Sequence, residues 1–448
     1  MNDTIAAIST TTGIGAISII RLSGPEAIEI ATKIFTKDLT KVATHTIHYG
    51  YIKNNNEKID EVLITVMKSP KTFTKEDIVE INCHGGIAIT NKVLEMLLNN
   101  GARLATPGEF TKRAFLNGRI DLLEAEATMD LISSKTEKAR KISINTLTGE
   151  TSNLIKELRN EIIQIISNIE VNIDYPEYED IEVLTNEKIL PDIQKFQEKL
   201  EKIIKKSEDS KVIKEGIKVG IIGKPNVGKS SLLNALLEEE KAIVTNVPGT
   251  TRDIVEGTII LGNVILNIID TAGIRQSEDI VEKLGIQKSL NIINEADLVI
   301  YILNNNEEIT LEEKQLLEKL KDKKKIIVIN KIDLTNKLDK SILENYIEIS
   351  AKENIGIEKI KEEIKRLFNL GELETEDLTY MSNTRSIHLL NKSLTNIKEA
   401  INEINIESPI DIVEFHLKEA WNNLGEIIGE TYTDELLDEL FSRFCLGK

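Results

Sequence analysis

Cysteine is nearly absent from this chain of 448 residues: Cys83 and Cys445 are the two present, too few for a disulfide framework. Histidine is scarce as well, with five, and no set of Cys and His has the spacing of a zinc site. Such cysteine usage suits a reducing compartment. Long apolar runs are missing: none approaches the ~18 residues a membrane span needs. The start, Met1-Asn2-Asp3-Thr4, has no basic stretch leading into an apolar one. A soluble, cytoplasmic protein without membrane contact is expected. Excess positive charge is also lacking, since 56 Lys and Arg stand against 74 Asp and Glu, a formal net charge of −18. That balance argues against a broad basic face holding nucleic acid by its phosphates, so any RNA contact must be local or supplied by a partner. No period of repeat-protein length occurs, and acidic runs such as Glu238-Glu239-Glu240 read as solvated helix faces.

What is present is enough apolar residue, 41%, for packed domains, and a length that exceeds one typical core. Residues 1–118 mix β-like runs (Ala16 to Leu22, Glu61 to Met67, Asp77 to Asn82) with helical segments (Pro25 to Phe35, Ile87 to Asn99), as an α+β domain does. Residues 119–210 are helical in period: a long stretch from Asp121 to Ile173, a break near Asp174-Tyr175-Pro176, and a helix from about Asn186 to Ser207. Lys205 to Gly216 reads as a polar linker. Residues 211–372 alternate apolar strands (Lys218 to Ile222, Val264 to Ile269, Leu298 to Leu303, Lys325 to Ile329, Tyr346 to Ile349) with amphipathic helices, which predicts a doubly wound parallel sheet. Helical periodicity returns in residues 373–448. The simplest architecture is a multidomain α/β chain in which the central α/β unit is inserted into one α-helical domain behind the α+β amino-terminal domain.

The chemistry centres on Gly223-Lys224-Pro225-Asn226-Val227-Gly228-Lys229-Ser230, which fits Gly-x-x-x-x-Gly-Lys-Ser between an apolar run, Ile217 to Ile222, and an amphipathic one from Ser231. In such a loop the backbone N–H groups and the following helix N-terminus face phosphates, the lysine reaches the β- and γ-phosphates, and the serine hydroxyl ligates Mg²⁺. The base is indicated by Asn330-Lys331-Ile332-Asp333 at a strand end, because a carboxylate accepts both the N1–H and the 2-amino group of guanine and adenine offers no such pair. Ser350-Ala351-Lys352, after the next strand, adds the loop beside the base. Asp270-Thr271-Ala272-Gly273 places an aspartate to hold Mg²⁺ through water and a glycine N–H to sense the γ-phosphate. Gly249-Thr250-Thr251-Arg252-Asp253 supplies Thr251 as a second magnesium hydroxyl. The predicted GTP-contacting set is Asn226 to Lys229, Ser230, Ser231, Thr245, Asn246, Val247, Pro248, Gly249, Thr250, Thr251, Asp270 to Gly273, Asn330, Lys331, Asp333 and Ser350 to Lys352. After Gly273 stands Ile274, where small signalling GTPases carry a water-orienting glutamine, so another group must orient the attacking water; Glu278, Asp279 and Glu282 are the acidic candidates.

Along its whole length the chain resembles the MnmE (TrmE) family of tRNA-modification GTPases. The likeness rests on the phosphate loop, on Gly249 to Asp253, on Glu80-Ile81-Asn82-Cys83-His84-Gly85-Gly86 and Pro107-Gly108-Glu109-Phe110-Thr111, and on the tail Phe444-Cys445-Leu446-Gly447-Lys448. Leu446 departs from the isoleucine or phenylalanine commoner there. The resemblance implies a potassium ion held by Asn226 with oxygens of Thr245, Val247 and Thr250, and a general base at Glu282 acting through water. It further implies an amino-terminal domain like folate-binding domains, which mediates homodimerisation, with Arg21, Glu80, Arg119 and Lys448 at folate-contacting positions and Cys445 in the modification site. Cofactors implied are Mg²⁺, K⁺ and 5-formyltetrahydrofolate or a related reduced folate. The implied reaction modifies C5 of the wobble uridine of certain tRNAs together with the flavoprotein MnmG, in a heterotetramer whose partner supplies most of the tRNA grip. A rival class, the ribosome-assembly GTPases, usually carries basic RNA-binding appendages, which this acidic chain lacks.

Overall fold

The computed structural model describes residues 3–11, 13–55, 57–174, 186–238, 257–262, 264–269, 290–368 and 379–447. The chain forms two compact units, Met1–Ile132 with Thr146–Gln197 and Leu389–Lys448, and Ser133–Asn145 with Glu198–His388.

The first unit contains a six-stranded sheet of β1 (Ile5–Ile8), β2 (Ile17–Ser23), β3 (Thr46–Asn54), β4 (Glu57–Met67), β5 (Ile78–His84) and β6 (Arg103–Leu104), in the order β3-β4-β5-β2-β1-β6. Successive side chains of a strand point to opposite faces. Ile20 and Leu22 of β2 and Val79 and Ile81 of β5 therefore share one face, where they pack with Ile30, Ala31 and Ile34 of the helix Ala27–Ile34 and with Val93 and Leu97 of the helix Ile87–Asn99. Arg21 and Glu80 alternate with them and lie opposite one another in the β2–β5 register, so both emerge on the other face. Ile5, Ala7, Ala105 and Phe110 form a separate small cluster, with Phe73 packed against it. The helical stretch expected from Asp121 to Ile173 is three helices, Leu122–Ser133, Glu150–Asp174 and, between them, Glu137–Leu147. The expected break at Tyr175-Pro176 lies outside the described residues. The Arg159 guanidinium sits 3.9 Å from the Trp421 ring centroid and ties Glu150–Asp174 to the helix Ile410–Ile428.

The second unit contains β7 (Ile217–Ile222), β8 (Gly257–Leu261), β9 (Val264–Ile269), β10 (Leu298–Asn304), β11 (Lys325–Asn330) and β12 (Tyr346–Glu348), in the order β12-β11-β10-β7-β9-β8. All five expected strands are present. The sheet departs from an all-parallel one at its edge, where β8 runs antiparallel to β9. Its half-buried Gly257 and Thr258 gave no continuous apolar run to read. β10 is buried at every position, as a central strand covered on both faces must be. The expected polar linker at Lys205 to Gly216 is instead the last part of the helix Asn186–Glu215. Ile203, Ile204, Ser207, Ser210 and Ile213 are buried, so two of the positions on its packed side carry serine, and the apolar signal was too thin to read. Among the described residues no helix is long and apolar enough to cross a membrane.

Candidate functional site

The phosphate loop leaves β7 at Gly223, turns through Asn226, whose φ is +62°, and enters the helix Lys229–Glu238. Five to six residues on, the chain has come back on itself, so that the Lys229 ammonium donates to the carbonyls of Gly223 and Lys224, each at 2.7 Å. Burial pushes its pKa below that of an ordinary lysine. Gly228 has no substitute here: its φ is +100°, and a Cβ would lie 2.2 Å from the Asn330 amide nitrogen. Lys224 reaches 2.9 Å to Glu313, a buried carboxylate that also caps the helix Leu311–Lys319 through Thr310. Sequence reasoning did not foresee that pair, because a glutamate in a charged amphipathic helix carries no signal that it turns inward.

The residues expected to read the base lie together. Asn330, at the end of β11, is 2% exposed; its amide nitrogen donates to the Val227 carbonyl at 2.8 Å and its oxygen accepts from the Ala351 N–H at 3.0 Å. The Ser350 hydroxyl donates to Asp333 at 2.7 Å and holds that carboxyl below the ordinary aspartate range. Asp333 is therefore an ionised acceptor at neutral pH. Lys331 takes a left-handed backbone, φ +65°, that only a well-braced loop sustains. Thr245, Asn246, Val247, Pro248, Gly249, Thr250, Thr251, Asp270, Thr271, Ala272, Gly273 and Glu282, together with Lys448, lie outside the described residues.

In the first unit Arg21 and Glu80 form an ion pair at 2.8 Å, and the guanidinium stands 5.7 Å from the Phe110 ring centroid. The chain's tail arrives at the same place. The Gly447 carbonyl accepts from the Ser9 hydroxyl at 3.3 Å and from Arg21 at 3.5 Å, and the Gly108 N–H donates to the Cys445 carbonyl at 3.4 Å. Gly447, φ +87°, presses so close that a Cβ would come 2.4 Å from the Ile8 carbonyl oxygen. Cys445 itself is exposed. Arg119 lies 4.7 Å from the Phe73 centroid and, with Met67, Pro70, Lys71, Thr72, Phe73 and Lys75, lines a cleft of about 390 Å³. Both arginines thus rest on aromatic rings of one small cluster. Cys83 and His84 do not act as a pair: Cys83 is buried, donates to the Ser18 carbonyl at 3.3 Å and has its thiol pushed up by burial. His84 is exposed and pairs with Asp60 at 2.6 Å.

Comparison with known proteins places these two sites in context. Residues 122–445 match the profile of the MnmE helical domain, and residues 4–119 match that of the GTP-binding protein TrmE N-terminus. The chain is 50% identical over 457 residues to a tRNA modification GTPase MnmE of Enterococcus faecalis, covering 100% of this chain and 98% of that one. It is 50% identical over 454 residues to the same protein of Listeria welshimeri, covering 100% and 99%. With the protein of Lactococcus lactis subsp. cremoris it shares 50% over 448 residues, covering 100% and 98%. Among solved structures it is similar to Era in complex with MgGDPNP and nucleotides 1506-1542 of 16S ribosomal RNA (26% identity, 34% of this chain, 56% of that chain, TM-score 0.25). It is also similar to the G domain of the T. maritima FeoB iron transporter (29% identity, 34% and 98%, TM-score 0.25). Since half of all positions agree from end to end, and not merely across the nucleotide-binding part that many GTPases share, the chain belongs to the family of the tRNA modification GTPase MnmE.

Proposed function

We propose that the chain is a potassium-activated GTPase that works with the flavoprotein MnmG to modify C5 of the wobble uridine of certain tRNAs, using the one-carbon unit of a reduced folate. The agreement with tRNA modification GTPases along the entire chain carries this reading. The tail's approach to Arg21 supports it, because it brings the segment bearing Cys445 to the face where a folate would sit.

At the nucleotide site, Lys229 exchanges two backbone carbonyls for the β- and γ-phosphates, and Asp333, kept ionised by Ser350, accepts from the guanine N1–H and 2-amino group. Ser230 and Thr251 would hold Mg²⁺, with Asp270 acting through water, and Asn226 with Thr245, Val247 and Thr250 would hold K⁺; hydroxyl and carbonyl oxygens suit both hard cations. When bound, the two ions supply positive charge to the transferring phosphoryl group. Glu282 takes the proton of the attacking water through a second water.

The amino-terminal face fits a folate in donor set: Glu80 offers a carboxylate to amine and amide donors of a pterin, while Arg21 and Arg119 offer guanidinium groups to carboxylates. Lys448 would add an ammonium. The folate supplies the one-carbon unit, and the homodimer and its MnmG partner complete the modification centre.

The test is a reconstitution of the full-length chain with an MnmG-type flavoprotein, tRNA, GTP, Mg²⁺, K⁺ and 5-formyltetrahydrofolate, read by mass spectrometry of the tRNA nucleosides. A C5-modified uridine that requires the folate, and that disappears in Cys445→Ser while GTP turnover continues, is expected. GTP turnover with no uridine product would return the chain to a binding-switch GTPase.

A further inference from the structure

The loop that reads guanine is gripped from behind by a residue outside every recognised motif. Asn305 follows the last residue of β10 and is 3% exposed. Its backbone N–H donates to the Asn330 carbonyl at 2.9 Å, and its side-chain amide donates to the Leu334 carbonyl at 3.0 Å. Its own carbonyl accepts from the N–H groups of Lys337 and Leu338 at 2.8 and 3.3 Å. These bonds fall on both sides of Lys331-Ile332-Asp333, so Asn305 fixes the two ends of the segment that carries the guanine-reading carboxylate. The amide cannot be turned round, because a carbonyl such as that of Leu334 only accepts. Its oxygen is buried with no hydrogen-bond partner among the described residues. A leucine of nearly the same shape would avoid that penalty, so what the asparagine adds is its N–H to Leu334. The brace acts where one is needed, since Lys331 sits in the left-handed region at φ +65° and a β-carbon-bearing residue stays there only when its surroundings hold it.

We propose that Asn305 is a specificity-determining positioning residue: by holding Asn330 and Leu334 it sets the Asp333 carboxylate against the N1–H and 2-amino group of guanine. This rests on the reading of the site as a guanine-nucleotide site. Phosphate contacts come from a different loop, Gly223 to Ser230, so Asn305 governs the choice of base more than the grip on the phosphates.

The experiment measures dissociation constants of GDP, IDP and ADP for the full-length chain, as wild type, Asn305→Leu and Asn305→Ser, with melting temperatures alongside. Inosine lacks the 2-amino group, so the GDP-to-IDP ratio reports how well Asp333 is placed. The wild type binds GDP more tightly than IDP; in both variants that preference shrinks ~5–10-fold, about one hydrogen bond's worth, while IDP, which meets Asp333 through N1–H alone, weakens less than GDP. A lowered melting temperature with an unchanged ratio would make Asn305 a structural brace and overturn the proposal. Equal weakening of GDP and IDP would overturn it too, by showing that the effect travels through Asn330 to the phosphate loop. A wild type that does not prefer GDP to ADP would sink the underlying guanine reading instead.

Discussion

The Asn330 side chain donates to the Val227 carbonyl at 2.8 Å across 103 positions of sequence. The same amide accepts from Ala351, so one buried side chain joins the phosphate loop, the base-reading loop and the Ser350 loop. Gly228 leaves the space in which that amide lies. The loops expected to read base and phosphates are therefore joined through one side chain.

Asn330→Ala removes both bonds and leaves the Val227 carbonyl and the Ala351 N–H unpartnered. Each orphaned group costs about 1–3 kcal/mol, and guanine-nucleotide affinity should fall ~10–100-fold. Calorimetric titration with GDP on the folded variant checks this. An unaltered affinity would mean that other contacts hold the three loops.

Gly447→Ala puts a Cβ where only 2.4 Å separates it from the Ile8 oxygen, at a φ that favours glycine. The tail should leave its seat on Ser9 and Arg21. tRNA modification with the flavoprotein present should then drop severely, with potassium-stimulated GTP turnover unchanged. Loss of both activities together would show that the tail supports the fold as a whole.

The amino terminus is tied down by charge. Burial by itself would raise the pKa values of Asp3 and Glu109, but hydrogen bonds from Arg103 and Arg113, with the Arg113 charge at Asp3 and the Thr106 N–H at Glu109, outweigh it and hold both carboxyls below their ordinary values. Groups with depressed folded pKa values contribute stability above the unfolded carboxylate range, near pH 4, and lose it as pH falls through the folded values. Melting temperature should accordingly decline below about pH 4. In Arg103→Ala the melting temperature should be lower at pH 7 and its decline below about pH 4 smaller, because the folded carboxyl values move up toward the unfolded ones, as melts between pH 3 and pH 7 will show. Superimposable profiles would mean that Arg113 and the Thr106 N–H hold the carboxyls without Arg103.

Ile274 can neither orient nor activate a water, and on the proposed reading Glu282 takes that role. Glu282→Ala should keep GTP binding and slow turnover by ~10²–10⁴-fold. In the wild type, turnover should be much faster in K⁺ than in Na⁺ at equal ionic strength, and Asn226→Ala should erase that difference. Single-turnover rates in the two salts decide both points, and full activity of Glu282→Ala would move the role to Glu278 or Asp279.

What was legible in advance was what is contiguous. The phosphate loop, Asn330 to Asp333 and Ser350 to Lys352 are runs of neighbouring residues whose chemistry follows from their order, and each of the five apolar strands of the second unit was visible as a run. The serine-bearing side of Asn186–Glu215 was not, because periodicity is read from apolar residues and Ser207 and Ser210 hide as polar ones. Residue types do not announce their burial either, as Glu313 beneath Lys224 shows.

The sequence by itself determined the phosphate-loop pattern, the Asn330-Lys331-Ile332-Asp333 run and the likeness to the family, since these are written in short runs of neighbouring residues. Only the tertiary structure decided that Asn330 binds Val227, that Asn305 grips Leu334, and that the tail meets Arg21 across 426 positions of chain. Each of these side chains ends on a backbone carbonyl, which every residue carries, so no residue pattern marks where it lands; the contacts exist because each sheet brings distant strand ends and turns within hydrogen-bonding distance.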